Sequence, residues 1–341
     1  MKIGFIAPLR RRIPPFGHAG IERVIDTLMH GLAAKGHEIT LFATADSEAP
    51  GTIVGTLEHE ARGWDHATYN LVVSEQMLAI ADYDQPIDLW SNHVAGQPLA
   101  MTPLLSAPLV TTVHEKQTPE KERLMAAAQS HSSFVAISQN QTTHFPSVKF
   151  TEVIYNGVDT DTLTLGKGEG GYFAWLGWVS PIKGAAEAVQ IAKRTGSKLK
   201  LAGMVDERNQ EYFDTEIKPY LGSDIEFIGE IDGDDKTEFL QQATGLLSPL
   251  SWDEPFGLVA AEAMACGTPV LTTARGAMPE LIVDGATGFL AKEATGLDAA
   301  VAKVSALDRT AVRQHVIDNF SNQRMVDAYE HLYQREIEQR G

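Results

Sequence analysis

The chain has 341 residues, with 28 Lys or Arg, 45 Asp or Glu, a single Cys and 43% hydrophobic side chains. This length exceeds what one hydrophobic core usually serves, so two domains are expected. The net charge is −17, so the chain has no basic excess of the kind found in proteins that bind nucleic acid or anionic membranes. Its single cysteine, Cys266, can form neither an internal disulfide nor a cysteine metal cluster.

Buried strands alternate with amphipathic helices through the first half of the chain. The amino terminus lacks the features of a signal peptide and no apolar run could span a bilayer, which predicts a cytoplasmic protein without stable membrane insertion. Residues 2–8 are the first predicted strand, and residues 20–37 place their apolar side chains on one helical face. Further strands are predicted at 38–44, 88–92, 108–114, 133–138 and 152–156. This alternation indicates parallel βαβ units.

A turn-rich segment with four glycines, residues 166–171, precedes a second series of the same kind and is interpreted as an interdomain linker. Strands are predicted at 172–177, 199–203, 225–229, 245–249, 269–273 and 288–291. Helices are predicted at 184–195, 208–220, 235–243, 257–265 and 295–306, with an amphipathic terminal helix near 321–338. The sequence therefore predicts an α/β protein of two doubly wound, parallel-sheet domains, with ligands at the strand carboxyl ends and in the cleft between the domains.

Two loops that open helices are candidate phosphate sites. In the segment 14–22, Gly20 at a helix start can offer N–H groups and the positive dipole end to a phosphate, although its glycines equally fit a purely turn-forming role. In the segment 177–184, Lys183 stands near a strand carboxyl end where a pyrophosphate can lie, whereas an isolated lysine there is more often solvated.

The segment 251–270 contains the most informative side chains. Glu254 ends a loop, and Glu262 lies in the mostly apolar helix that follows, so its carboxylate needs a partner. Sugar hydroxyls meet that need, and so does a helix terminus or a buried lysine. His114 ends a strand at the edge where doubly wound folds keep their ligands, although a single strand-end histidine is more often structural.

Together these segments resemble glycosyltransferase family 4, whose members are retaining nucleotide-sugar enzymes with two Rossmann-like domains, the GT-B fold. The most specific match is the family's motif of two glutamates separated by seven residues, which Glu254 and Glu262 satisfy. Supporting matches are Gly17–Gly20 with Glu22, and the segments 155–159, 177–184 and 279–290.

The resemblance implies a role for each matching residue. It assigns the donor ribose to Glu262, the donor sugar hydroxyls to Glu254, the diphosphate to Lys183 and Gly20, and the surroundings of the donor sugar to His114. The residues at the reacting centre are then His114, Lys183 and Glu254. The residues that bind the donor are Gly17, Gly20, Gly177, Lys183, Ile228, Gly229, Glu254, Phe256, Gly257, Leu258, Val259 and Glu262.

The implied reaction is transfer of a hexosyl group from a nucleotide diphosphate sugar to a hydroxyl acceptor with retention, needing neither cofactor nor metal. UDP-glucose is the favoured donor and GDP-mannose the next. The implied domains are 1–165 plus 321–341 for the acceptor and 166–320 for the donor, facing a central cleft, with the acceptor near 10–18, 62–77 and 93–98. The acceptor is a small molecule or saccharide, and no nucleic-acid partner is expected.

Two departures from the family pattern keep alternatives open. Trp178 stands where the family usually has an arginine, and Ala19 where a second glycine is common. Losing one charge-assisted contact weakens donor binding by about 1.5–3 kcal/mol if nothing replaces it. Arg208, Arg275 and the run 10–12 are candidates for the replacement. A non-catalytic sugar-nucleotide-binding protein is therefore one alternative hypothesis. A nucleotide-sugar epimerase, which shares the fold, is the other.

Overall fold

A computed structural model of the protein describes residues 1–17, 19–94 and 96–339, so His18 and Ala95 of the predicted acceptor segments lie outside the described residues. The chain forms two compact units, Met1–Gly157 with Asn322–Gly341, and Val158–Ser321. The sequence placed this division between residues 165 and 166. Each unit contains one parallel sheet with flanking helices, which confirms the predicted fold class.

The first unit contains a seven-stranded sheet in the order β3-β2-β1-β4-β5-β6-β7, in which all neighbouring strands are parallel. Its elements are β1 (Lys2–Ile6), α1 (Gly20–Ala34), β2 (Glu38–Thr44), β3 (Thr52–Leu57), α2 (His66–Ala81), β4 (Leu89–Asn92), α3 (Gln97–Met101), β5 (Leu109–Val113), α4 (Pro119–Ala128), β6 (Ser132–Ala136), α5 (Gln139–Thr143) and β7 (Glu152–Val153).

The second unit contains a six-stranded parallel sheet in the order β10-β9-β8-β11-β12-β13. Its elements are β8 (Phe173–Leu176), α6 (Ala185–Thr195), β9 (Leu199–Ala202), α7 (Gln210–Glu216), β10 (Ile225–Phe227), α8 (Gly233–Gln242), β11 (Gly245–Ser248), α9 (Leu258–Ala265), β12 (Val270–Thr273), α10 (Met278–Leu281), β13 (Gly288–Ala291), α11 (Asp298–Val301) and α12 (Arg309–Phe320). The chain ends with α13 (Asn322–Glu338), which belongs to the first unit.

Each sheet packs against its own apolar core. In the first unit the core includes Phe42, Trp90 and Phe134, and in the second it includes Trp175 and Leu247, all of them buried. Parallel strands that are buried on both faces read as near-continuous apolar runs, which is why most of these strands could be predicted from the sequence.

The glycine-rich segment 166–171 is not a free linker, which corrects the sequence interpretation. The N–H groups of Gly166, Gly168 and Gly170 donate to carbonyls of the second unit at 2.9 Å each. A Cβ on Gly166 would lie 2.3 Å from the backbone of Gln241. The glycines therefore allow close backbone packing against the end of α8, and they do not serve flexibility.

Further differences affect individual elements. The strand predicted at 152–156 shrinks to Glu152–Val153, and the helix predicted at 295–306 is broken into α11 and short 3₁₀ turns. The edge strand β3 and the helix α12 had not been predicted. Among the described residues, no helix combines the length and the apolar character needed to cross a membrane.

Candidate functional site

The order of the second sheet reverses between β8 and β11, because β9 and β10 lie on one side and β12 and β13 on the other. Ligands of doubly wound folds bind outside the strand carboxyl ends at such a reversal. The loop after β8 carries Lys183 and the loop after β11 carries Glu254. The two loops are joined because Ser251 donates its N–H to the carbonyl of Ile182 over 3.1 Å.

Lys183 and Glu254 form a close ion pair at this edge. Lys183 Nζ lies 2.5 Å from Glu254 Oε2 and 4.7 Å from the centre of the Trp252 indole. Trp252 Nε1 donates to the same carboxylate oxygen over 3.1 Å. In the part of the chain that the structure describes, the other oxygen, Oε1, has no hydrogen-bond partner. The carboxylate is thus oriented by two donors and keeps one oxygen for a ligand.

The helix α9 begins beside this pair with an unsatisfied N-terminus. Gly257 precedes it at a φ of +104°, a conformation that favours glycine, and provides no side-chain cap. Among the described residues, no acceptor bonds the N–H groups of Leu258 and Val259. Phe256 is buried and packs edge-on against Phe320, with ring centres 6.0 Å apart, so it fixes the approach to the helix. Open N–H groups at a helix start form an anion site.

Glu262 lies within α9 and pairs with a lysine. Lys236 Nζ on α8 is 2.9 Å from Glu262 Oε1, and each side chain is 14% exposed. Of the partners that the sequence analysis considered for Glu262, the structure shows the buried lysine. Lys236 was missed because nothing local distinguishes it from a surface lysine on an acidic helix. The second oxygen of Glu262 is left for another donor.

Gly177, Ile228 and Gly229 lie at the ends of the neighbouring strands. The Gly177 N–H donates to Ala202, and the Gly229 carbonyl accepts from Gly203 over 2.8 Å. The side chain of Ile228 is 42% exposed. Among the described residues, no partner bonds the Ile228 carbonyl or the Gly229 N–H. One acceptor and one donor of the main chain thus remain open beside an apolar side chain.

Trp178 has an arginine as its neighbour. The guanidinium of Arg208, from the loop after β9, lies 5.5 Å from the centre of the Trp178 ring. Arg208 also donates to Asp206 Oδ2 from Nε over 3.0 Å and from Nη2 over 2.7 Å. Its side chain is 80% exposed, so it can exchange Asp206 for another anion. A positive charge therefore lies beside the position that lacks the family arginine.

The predicted residues of the first unit lie at the carboxyl edge of its own sheet. Gly17, at a φ of +67°, follows β1, and its carbonyl accepts from Arg23 Nη2 over 2.8 Å. Gly20 opens α1 behind Ala19, which provides no side-chain cap. His114 follows β5. The structure therefore collects Gly17, Gly20 and His114 in one unit, and the other predicted residues in the second.

His114 forms a pair with His93, which the sequence analysis included in the acceptor segment 93–98 but did not single out. His93 Nδ1 lies 2.8 Å from His114 Nε2, with the ring centres 5.1 Å apart. Burial lowers the pKa of His114 to about 4, and burial together with the neighbouring His114 lowers the pKa of His93 well below its ordinary value. Both imidazoles are therefore neutral near pH 7. They line a cavity of about 450 Å³, mouth included, with Leu99 and Met125.

The described residues contain no group of three or more His, Cys, Asp or Glu side chains arranged to hold a metal ion. The absence of a metal requirement stays a prediction.

Two protein-family models match consecutive parts of the chain. The model described as glycosyltransferase family 4 matches residues 18–162. The model described as glycosyl transferases group 1 matches residues 171–320. This part contains the ion pairs that Glu254 and Glu262 form with their lysines.

Two curated proteins are similar to the chain over different lengths. An uncharacterized glycosyltransferase of Methanocaldococcus jannaschii is 32% identical over 141 residues, which cover 41% of this chain and 39% of that protein. A glycogen synthase of Mycobacterium tuberculosis is 25% identical over 383 residues, covering 94% of this chain and 92% of that protein.

Solved structures are similar over nearly the whole chain. AviGT4, a glycosyltransferase involved in avilamycin A biosynthesis, matches with a TM-score of 0.74 and 25% identity, covering 98% of both chains. Anabaena HepE in complex with UDP and glucose matches with a TM-score of 0.75 and 18% identity, covering 97% of this chain and 99% of that one. The likeness to HepE concerns the fold alone.

Proposed function

We propose, from the premise that this chain belongs to glycosyltransferase family 4, that it transfers a hexosyl group from a nucleotide diphosphate sugar to a hydroxyl acceptor and retains the anomeric configuration. One observation carries the proposal. The ion pair of Lys183 and Glu254 follows β8 and β11 and lies close to Gly257, at the start of α9, where the N–H groups of Leu258 and Val259 are open.

This arrangement suits a leaving diphosphate. Cleavage of the glycosidic bond builds negative charge on the diphosphate, which Lys183 and the N–H groups of Leu258 and Val259 would stabilise where it develops. On donor binding, Lys183 turns from Glu254 to the diphosphate. Glu254 then accepts hydrogen bonds from the sugar hydroxyls instead, so neither charge is left without a partner. Gly20, at the start of α1 in the first unit, would offer a further N–H to the same diphosphate.

The remaining donor contacts follow from the open polar groups. Glu262 would accept from the ribose hydroxyls through the oxygen that Lys236 does not hold. The nucleotide base would meet the Ile228 carbonyl and the Gly229 N–H beside Gly177. One open donor and one open acceptor can pair with uracil, guanine or adenine, so these main-chain groups bind a base without selecting it. UDP-glucose stays the favoured donor, with GDP-mannose next.

Arg208 would supply the second cation for the diphosphate, in place of the arginine that Trp178 replaces. Its replacement by Gln should weaken UDP binding about tenfold, since one charge-assisted contact is lost. The double change Trp178→Arg with Arg208→Gln should restore the affinity. Arg194→Gln is the matched control, because Arg194 pairs with Asp298 on a helix flank. Calorimetric titration with UDP measures all four proteins.

Retention would follow from attack on the face that the diphosphate leaves, with a phosphate oxygen taking the acceptor proton. Neither Glu254 nor Glu262 is then a covalent nucleophile, and no metal is invoked. His114 would contact the donor sugar from the first unit. The acceptor is a small molecule or saccharide hydroxyl, bound by the first unit.

The test is a panel of UDP, GDP and ADP and their sugars. Thermal unfolding measures the binding of each compound, and release of free nucleotide with and without acceptors measures turnover. A transferase releases nucleotide with an acceptor, an epimerase interconverts sugars without release, and a non-catalytic protein binds without turnover. The anomeric proton coupling of the product then decides retention.

Two variants test the site itself. Lys183→Met should lower kcat about 100-fold, because a charge that acts in the transition state is removed. Glu211→Gln, an exposed change on α7, should leave turnover unchanged. If Lys183→Met turned over like the unmodified enzyme, the diphosphate site would have to lie elsewhere.

A further inference from the structure

A buried chain of hydrogen bonds runs from the terminal helix to His114. Tyr333 Oη on α13 lies 2.6 Å from Ser91 Oγ, and Ser91 Oγ lies 3.0 Å from His93 Nε2. The chain ends with His93 Nδ1 at 2.8 Å from His114 Nε2. Tyr333 and Ser91 are fully buried, and His93 is 3% exposed. Phe5 stacks on the His93 ring at an interplanar angle of 8°, which holds the ring in this plane.

The direction of the protons along this chain is determined at its first member. Within the residues that the structure describes, the Tyr333 hydroxyl has Ser91 as its only hydrogen-bond partner. If Ser91 donated to Tyr333, the tyrosine O–H would be buried without an acceptor, which is costly. Tyr333 therefore donates to Ser91. Ser91 in turn donates to His93 Nε2, because its hydroxyl has no other acceptor among the described residues.

The tautomers of the two imidazoles follow. A neutral imidazole has one N–H and one acceptor nitrogen. Because His93 Nε2 accepts, His93 carries its proton on Nδ1 and donates it to His114 Nε2. His114 must then carry its own proton on Nδ1, which has no partner among the described residues. Burial keeps both rings neutral, since it lowers the pKa of each.

We propose that Tyr333, Ser91 and His93 are positioning residues that hold His114 as a neutral N–H donor through Nδ1. The inference rests on the proposed transferase function for its purpose. With Nε2 occupied by His93 and Nδ1 protonated, His114 has no nitrogen available as a general base. It can donate to a hydroxyl of the donor sugar, and a neutral ring does not repel the positive charge that develops at the anomeric carbon.

The direct test is a long-range ¹H–¹⁵N spectrum of the full chain labelled with ¹⁵N-histidine, recorded near pH 7.5 without ligand. We expect a pyrrole-type Nδ1 and a pyridine-type Nε2 for His114. In His93→Phe, which keeps an aromatic ring against Phe5, His114 should move to the Nε2–H tautomer that imidazole favours in water. A wild-type His114 protonated on Nε2 would overturn the proposal, and this measurement needs no variant to fold.

Variants at the two hydroxyls locate the effect in the hydrogen-bonded chain. Ser91→Ala should mix the two tautomers of His114, and Ser91→Thr, which keeps the hydroxyl, should preserve the wild-type one. Tyr329→Phe is the matched control, because it removes an equally buried tyrosine hydroxyl that bonds Thr112 over 2.9 Å and lies outside the chain. A control variant that shifts the tautomer as much as Ser91→Ala would refute the positioning role.

Kinetics connect the tautomer to turnover. His93→Phe should lower kcat about tenfold, as expected for the loss of one oriented donor, and leave the affinity for UDP unchanged. An unchanged kcat in a variant whose tautomer has switched would refute the functional half of the proposal. Absence of transferase activity in the wild type would count against the proposed function alone, because the spectrum is recorded without substrate.

Discussion

The ion pair between Lys236 and Glu262 allows a quantitative prediction about the second unit. At 2.9 Å and an effective dielectric constant of about 20, the attraction between the two charges is about 6 kcal/mol. Desolvation of both groups offsets much of this, because each side chain is only 14% exposed. We expect a net coupling energy of about 1–3 kcal/mol between the two residues, above the 0.2–1 kcal/mol of exposed pairs.

The perturbation is the cycle of Lys236→Met, Glu262→Gln and the double variant. Lys236→Met should lower the unfolding free energy of the second unit by about 2–3 kcal/mol, because it leaves a mostly buried carboxylate without its cation. The double variant should lose less than the sum of the two single changes. Hydrogen exchange of the α8 and α9 amides in urea measures the unfolding free energy of this unit separately.

The control is the pair of Lys218 and Asp214, which has a similar separation of 2.7 Å but side chains that are 62% and 40% exposed. Lys218→Met should cost about 0.5 kcal/mol or less. If Lys236→Met costs no more than this control, the reasoning from burial is refuted, and Glu262 would have to be stabilised by another group.

Three further predictions concern stability. Arg309→Met should lower the unfolding free energy measured in urea by about 4 kcal/mol, because the guanidinium donates to the carbonyls of four residues and to the hydroxyl of Thr268. All five acceptors would lose a charged donor. A loss under 1 kcal/mol would contradict this. Gly203→Ala should prevent stable folding, since its φ is +149° and a Cβ would lie 1.7 Å from the Gly177 carbonyl, whereas Gly222→Ala meets open space and should be tolerated in expression and thermal unfolding. The pKa of His114 falls from 6.5 to about 4 on folding, so its contribution to the unfolding free energy is complete above pH 6.5 and is lost as the pH falls toward 4. The loss is about 3 kcal/mol. His114→Asn should therefore flatten this part of the curve of unfolding free energy against pH.

Local patterns were sufficient for most of the fold. The apolar run at 38–44 became β2 with the same bounds, and the terminal helix became Asn322–Glu338. The edge strand β3 was missed because its residues are partly exposed and lack a buried face. The helix α12 was detectable in principle, since Asp308 caps it and Val312, Val316 and Phe320 recur every fourth residue.

The site was less accessible to sequence reasoning because its partnerships are tertiary. Glu254 and Glu262 could be singled out from one continuous segment. Their lysines could not be assigned to them, since Lys236 is 26 residues from Glu262 and Lys183 is 71 residues from Glu254 in the chain. Periodicity reports which side of an element is buried, and it does not report which side chains of different elements meet.

The placement of α13 in the first unit has a consequence for synthesis on the ribosome. The second unit is one continuous segment, Val158–Ser321, which is synthesised in full before α13. The sheet of the first unit is synthesised before the second unit, but this unit also needs Tyr329 and Tyr333 of α13, two of its largest fully buried side chains. The part of the first unit that packs against these side chains therefore stays uncovered until the whole second unit has been made. A stop codon at position 322 should yield chains that depend on chaperones and are degraded, although every residue of the second unit is present.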